Sequence, residues 1–398
     1  MFAAGRPHVA IPGPSVMPDA VLAAMHRPAP DIYDPALLGL MESLTADLRW
    51  LAGTAHEVAV YIANGHAVWE AALSNILAPG ETALVLSTGH FAHGWADMAR
   101  GLGIGIELQE FTGGAPADPG WLEERLRADS GGHIRAVLVC QTDTATGVRS
   151  DLAALRRAMD AAGHGALLAA DCVASLGCEP FEMDAWGVDI TLSASQKGLM
   201  TPPGLGLVWF GPRAAAARDR LDGVSRYWDW RPRARPDDGL WQYFDGTAPT
   251  HHLYGLRAAL DLMRAEGRAA IWHRHAVLAQ AIWAAVDAWG TAGGIRIEVP
   301  DRAARSHAVT AIHAGGDLGE RLRLWTRDIA GLTLGVGLGR DPQSAWFRIG
   351  HMGHVNAQMI LGTLATIEAG LQALNAPHGT GAIEAAAGVI ARASTAAP

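Results

Sequence analysis

Lys197 is the only lysine in a chain with 31 basic residues; the remaining 30 are arginine. A surface charge tolerates exchange of lysine for arginine. A site that needs a primary amine able to shed its proton does not, because guanidinium stays charged at ordinary pH. Lys197 stands between Gln196 and Gly198, just after an apolar run. Another such run, 166–170, is closed by Asp171. An acid there is costly unless it meets a cation or a strong donor. A third run ends at Asn64-Gly65-His66, which opens a helical pattern through Trp69-Glu70-Ala71-Ala72. Free amides and the positive dipole end of a helix suit an anion. Taken singly, these residues read equally as a surface lysine, a structural acid and an ordinary N-cap. Together they supply an amine for a Schiff base, a carboxylate for a pyridine nitrogen and a seat for a phosphate. Those are the requirements of pyridoxal phosphate.

Such groups must converge, which constrains the elements that carry them. Strand patterns fall at 57–63, 82–88, 134–141, 166–170, 189–195 and 205–210, with helical patterns between several of them at 66–77, 119–129 and 150–163. This alternation predicts an α/β domain whose largely parallel sheet is covered on both faces. Open sheets of this kind bind ligands at the carboxyl ends of their strands. The chemistry-bearing residues lie just past such ends. So do Thr88-Gly89-His90-Phe91, which brings an aromatic ring, and Thr142-Asp143-Thr144-Ala145-Thr146-Gly147, a polar cluster closed by a turn glycine. Residues 222–249 break the rhythm with Pro, Arg, Asp and the aromatic cluster Tyr227-Trp228-Asp229-Trp230. Helical patterns at 252–266 and 269–289, strands near 295–300, 306–313 and 345–349 and a helix at 356–375 predict a smaller α+β domain. The Ala-rich end, 384–398, reads as a helix fraying into a tail.

At 398 residues, 49% hydrophobic and 18% charged, the chain has ample material for a core and is not a disordered sequence. Its net charge of −9 argues against binding nucleic acid by phosphate neutralisation. No apolar run approaches a membrane span, and the first thirty residues lack a secretory pattern, so a soluble, cytoplasmic protein is expected. Cys140, Cys172 and Cys178 form no CxxC pair and read as small buried hydrophobes.

Ser193-Ala194-Ser195-Gln196-Lys197-Gly198, followed by Pro202-Pro203-Gly204, resembles the Schiff-base segment of class V aminotransferases. The branch it resembles contains the alanine–, serine– and aspartate–glyoxylate aminotransferases. The likeness runs from Ile11-Pro12-Gly13-Pro14 to Arg348-Ile349-Gly350-His351-Met352-Gly353, through Asn64-Gly65-His66…Glu70-Ala71-Ala72-Leu73, Thr144-Ala145-Thr146-Gly147-Val148 and Asp171…Ala174-Ser175-Leu176-Gly177. It implies a seven-stranded-type, mostly parallel sheet between helices and a small C-terminal α+β domain. The corresponding boundaries are an N-terminal arm at 1–20, a large domain at 21–250 and a small domain at 251–398. The resemblance further implies pyridoxal 5'-phosphate bound covalently by Lys197, with Asp171 on the pyridine nitrogen, Phe91 on the ring and Thr144 on the ring hydroxyl. Asn64, Gly65, His66 and Gln196 would hold the phosphate, joined by Thr247 from a partner subunit of a homodimer with shared sites. Arg348 would take the substrate carboxylate, with Gly13 and Tyr33 also on the substrate side. The implied reaction is ping-pong transfer of an amino group from a small amino acid to a small 2-oxo acid, glyoxylate first.

Tyr227–Trp230 and Leu253-Tyr254-Gly255-Leu256-Arg257 look like serine–glyoxylate enzymes. Those often carry His-Arg where this chain has Ile32-Tyr33. The Tyr33-Asp34-Pro35 segment and Asp143-Thr144 are closer to ureidoglycine–glyoxylate and pyridoxamine–pyruvate aminotransferases, the alternative reading. Cysteine desulfurase is disfavoured, since all three cysteines precede residue 179. Two glycine runs, 101–105 and 335–339, lack the dinucleotide-binding spacing and read as loops. His351 with His354, or His273 with His275, has no HExxH, so no metal is expected. A non-catalytic binding module would not need Lys197 beside Asp171.

Overall fold

The computed structural model describes residues 2–236 and 239–395. Its large sheet has seven strands, in the spatial order Glu57–Ala63, Gly204–Phe210, Ile190–Ala194, Leu167–Asp171, Ile134–Cys140, Thr82–Ser87 and Gly105–Glu110. Gly204–Phe210 is antiparallel to both neighbours, and the other six share one direction. Alternate residues of each central strand enter different cores. Val137 and Val139 join Leu84, Leu86, Leu168 and Ala170 on one face; Ala136 and Leu138 join Ala83, Val85, Leu167 and Ala169 on the other. Both faces are therefore covered, which is why these strands read as unbroken apolar runs rather than alternating ones.

Helix boundaries follow their capping residues. Asp34 accepts from the Ala36 amide ahead of Pro35–Ala52, which starts on a proline and stops at Gly53 in the left-handed region (φ 65°). Asn64, Asp118 and Asp151 close the starts of Gly65–Ile76, Pro119–Ala128 and Leu152–Ala161 in the same way.

The smaller sheet runs His8–Ala10, Leu332–Val336, Trp346–Gly350, Val309–His313, Arg296–Ile297. Its core joins Ala10 to Leu278–Trp289, Ile349, Leu364 and Ala386. Thus the N-terminal segment, expected as an arm over 1–20, contributes a strand to the smaller sheet. The helix Arg268–Trp289 begins with Ile271 in the large core and continues with Leu278 in the small one. The cores therefore change hands inside that helix, while the resemblance implies a boundary at 250/251.

Besides the two-residue strands Thr142–Asp143 and Val148–Arg149, which pair with each other, three strands had no apolar-run signature. Gly105–Glu110 lies on the sheet edge and alternates polar with apolar, His8–Ala10 is three residues long, and Leu332–Val336 contains a glycine. That last strand corrects the loop reading of 335–339, because Gly335 lies within it, pressed against Pro12 and Arg348. The run predicted at 306–313 begins as strand only at Val309, because Ser306 instead hydrogen-bonds Glu179 and the carbonyl of Gly147. The C-terminal helix is Ala382–Thr395; Met1 and the last three residues of the predicted tail lie outside the described residues.

Candidate active site

Parallel strand direction places several strand ends at one mouth, and the loops following them enclose a cavity of about 280 Å³. Its lining includes Gly13, Asn64, Gly65, His66, Trp69, Phe91, Thr144, Asp171, Gln196 and Lys197. Every residue assigned to the cofactor from sequence is here except Thr247. Lys197, 9% exposed, donates from Nζ to the carbonyl of Pro12. Burial, reinforced by the Arg348 guanidinium, lowers its ammonium to about 8. The sole lysine is thus close to releasing a proton at physiological pH.

Asp171, 5% exposed, closes its strand and receives two strong donors. The Val173 amide donates to Oδ1 at 2.8 Å and the Trp69 indole donates to Oδ2 at 2.7 Å. Burial raises this carboxyl to about 6, and the two donors oppose that rise. At neutral pH it is mainly anionic, poised near a proton acceptor's range.

At the helix start, the Asn64 side chain accepts from the Ala67 amide and its carbonyl from that of Val68. Among the described residues, the amides of Gly65 and His66 have no such partner and border the cavity. Burial lowers the His66 imidazole, with His90 and Lys197 adding to the effect. Gln196 carries a buried side-chain oxygen that lacks a hydrogen bond among the described residues. Bare helix amides and an unpartnered side-chain amide, lining the same cavity as an amine and a carboxylate, fit a small planar ligand bearing a phosphate. The fit meets all three demands of pyridoxal phosphate.

Arg348 does not line this cavity. Its Nη1 donates to the Thr144 carbonyl and its Nε to that of Val336, both at 2.6 Å. Nη2 has no hydrogen bond among the described residues. The side chain borders a neighbouring cavity of about 340 Å³ that shares Gly13 with the first. Burial lowers the guanidinium to about 10, leaving it charged at neutral pH. Gly13 has φ +92°, and a Cβ there would lie 2.6 Å from the Lys197 Cε. Only glycine gives the lysine room. Two assigned residues stand apart: Tyr33 is 85% exposed and Thr247 is exposed, and neither lines the cavity of its own chain.

Sequence reasoning left three contributors without a role. Trp69 lies one turn after Gly65, on the same helix face, which was a usable spacing signal. Asp143, fully buried, accepts from the Phe91 amide (3.0 Å) and the Ala145 amide (2.8 Å). It thereby caps a helix whose own N-cap, Gly89, has no side chain. The third is the Pro12 carbonyl, whose meeting with Lys197 spans most of the large domain's sequence. Cys140, Cys172 and Cys178 are buried and free. Among the described residues, no group of three or more metal-ligating side chains converges and no helix is long and apolar enough to cross a membrane. His351 and His275 are instead bonded to Thr310 and to backbone groups.

The family model for aminotransferase class-V matches residues 39–321. This chain belongs to the class-V aminotransferase family. Its reaction class is therefore amino-group transfer. Among curated relatives, the serine–glyoxylate aminotransferase of Methylorubrum extorquens is 40% identical over 92% of this chain and 91% of its own. The L-aspartate–glyoxylate aminotransferase of Paracoccus denitrificans is 37% identical over 97% and 96%. Among solved structures, pyridoxamine–pyruvate aminotransferase from Mesorhizobium loti superposes with TM-score 0.89 at 26% identity, covering 98% of both chains. Ureidoglycine–glyoxylate aminotransferase from Bacillus subtilis does so with TM-score 0.86 at 25% identity, covering 98% of this class-V chain and 99% of its own.

Proposed function

We propose that this transaminase uses pyridoxal 5'-phosphate to move the amino group of a small amino acid, of the serine, alanine or aspartate type, to glyoxylate or a similar small 2-oxo acid. The observation that carries the reading is the meeting of the sole lysine, a buried strand-end carboxylate and a bare helix start in one cavity. When bound, the cofactor supplies an electron sink for the bond broken at the substrate's Cα.

The chain's own residues do the rest. Lys197 would hold the cofactor through Nζ and, once displaced by the substrate amine, carry the Cα proton; an ammonium lowered to about 8 suits both tasks. Asp171, fixed by two donors, would keep the ring nitrogen protonated. The amides of Gly65 and His66 with Asn64 and Gln196 would bind the phosphate. Phe91 would cover the ring and Thr144 would bond its hydroxyl. Arg348, held by the Thr144 and Val336 carbonyls, would offer its remaining edge to a substrate carboxylate in the neighbouring cavity that it lines with Gly13. Tyr33 and Thr247 would serve the site of a second copy, making a homodimer the smallest active unit. Three free cysteines support a cytoplasmic setting.

The test is a donor panel on purified enzyme. Serine, alanine and aspartate should outpace pyridoxamine with glyoxylate as acceptor, and Lys197→Ala should lose both the borohydride-sensitive absorbance and turnover. The likeness to the pyridoxamine–pyruvate enzyme and the Tyr33-Asp34-Pro35 segment support a second reading. Preference for pyridoxamine with pyruvate, or for ureidoglycine, would establish it in place of the first. A protein that takes up no cofactor would remove both.

A further inference from the structure

We infer that Trp69 is a positioning residue whose indole N–H holds the Asp171 carboxylate in the orientation and ionisation that the cofactor's ring nitrogen requires. The inference rests on the proposed function. Trp69 is 2% exposed and lines the same cavity as Lys197. Its Nε1–H lies 2.7 Å from Asp171 Oδ2, while Oδ1 is engaged by the Val173 amide. The carboxylate is thus clamped on both oxygens, one by backbone and one by a side chain. An indole N–H cannot titrate, so it donates at every pH at which the enzyme works.

The ring itself is held from several sides. It lies nearly parallel to Trp95 at 6.1 Å and meets His66 at 4.6 Å and Phe91 at 6.4 Å edge-on. One side chain therefore joins the acid to the ring-covering Phe91 and to His66 at the helix start. The other titratable groups facing Asp171 are Lys197, which favours its charge, and Asp143, Cys140 and Cys172. Burial keeps both thiols neutral. Cys140 Sγ, at 3.9 Å from Oδ2, is a weak donor and no substitute for the indole. Trp69 is therefore the side chain that most directly opposes the desolvation of Asp171.

Trp69→Phe keeps an aromatic ring in place and removes the donor. In holoenzyme, the acid limb of the kcat profile should move up by about one pH unit, the effect of one hydrogen bond to a charged group. Pyridoxal phosphate should bind about tenfold more weakly at neutral pH by spectrophotometric titration, with KM for the oxo acid unchanged. In an Asp171→Asn background, which has no carboxylate charge to hold, the same substitution should leave the acid limb in place and weaken cofactor binding by much less than it does beside Asp171. An unmoved acid limb, or an equal loss of affinity in both backgrounds, would overturn the inference while leaving the proposed function intact. Wild-type enzyme that takes up no cofactor would overturn both. Should Trp69→Phe fail to fold, indole N–H resonances of ¹⁵N-labelled wild type decide. One should move as pH crosses about 6 and lose that movement in Asp171→Asn; indole resonances all indifferent to Asp171→Asn would reject the inference.

Discussion

Lys197 and Asp171 are buried in ionisable form, and each destabilises the folded chain in order to be chemically ready. For Lys197 the folded value, about 8, lies below the ordinary 10.5. The folded state then binds fewer protons than the unfolded state between these values, so the cost is fully present below about 8 and fades as pH rises toward 10.5. Lys197→Met should therefore raise the melting temperature of the cofactor-free protein at pH 7. The gain is at most about 3 kcal/mol and should shrink when melting is measured at progressively higher pH above 8. A melting temperature equal to wild type at pH 7 would show that the amine carries no such cost. Arg348→Ala removes up to two charge-assisted hydrogen bonds to a substrate carboxylate, so KM for the oxo acid should rise about 100-fold. Cofactor absorbance should persist, because Arg348 binds Thr144 through that residue's backbone carbonyl only; unchanged KM would reject the assignment.

Among elements, the segment through Gly13 and the helix from Gly65 matter most, because each brings backbone to the ligand rather than a side chain. Gly13→Ala combines an unfavourable φ of +92° with a Cβ placed inside the Lys197 side chain. Turnover should fall at least about 100-fold while circular dichroism stays native, since the strain falls on the lysine and a surface-proximal turn. Asn64→Ala removes the bond to the Ala67 amide at the helix start. A loss of about 1 kcal/mol in stability is expected, with weaker cofactor binding when titrated side by side with wild type. The central strands and about half of the helices were legible because burial on both faces imposes long apolar runs and caps punctuate them, whereas Pro35–Ala52, His90–Gly101 and Leu318–Ala330 were not anticipated. Gly105–Glu110 was not, since an edge strand needs only one apolar face. His8–Ala10 was too short for any periodicity, and its partner Leu332–Val336 comes late in the chain.

For the whole molecule, the question is which residues reach a site from another copy. Tyr33 and Thr247 are exposed in one chain and do not line the cavity that holds its Lys197. If Thr247 completes a partner's phosphate site, inactive Lys197→Ala and impaired Thr247→Ala proteins should regain activity when mixed under conditions of subunit exchange. Mixed dimers would contain one site with both residues native; activity equal to the sum of the separate variants would place Thr247 outside the shared site. Composition and local pattern were enough for the α/β class, the lone reactive amine and the acid and helix start expected beside it, because strand direction alone sends successive loops to one end of a sheet. They could not reveal that Pro12 receives the lysine, that Trp69 clamps Asp171 or that Asp143 caps the helix bearing Phe91. Those pairings join positions far apart in the chain, and distance in sequence carries no trace of a contact until packing closes it.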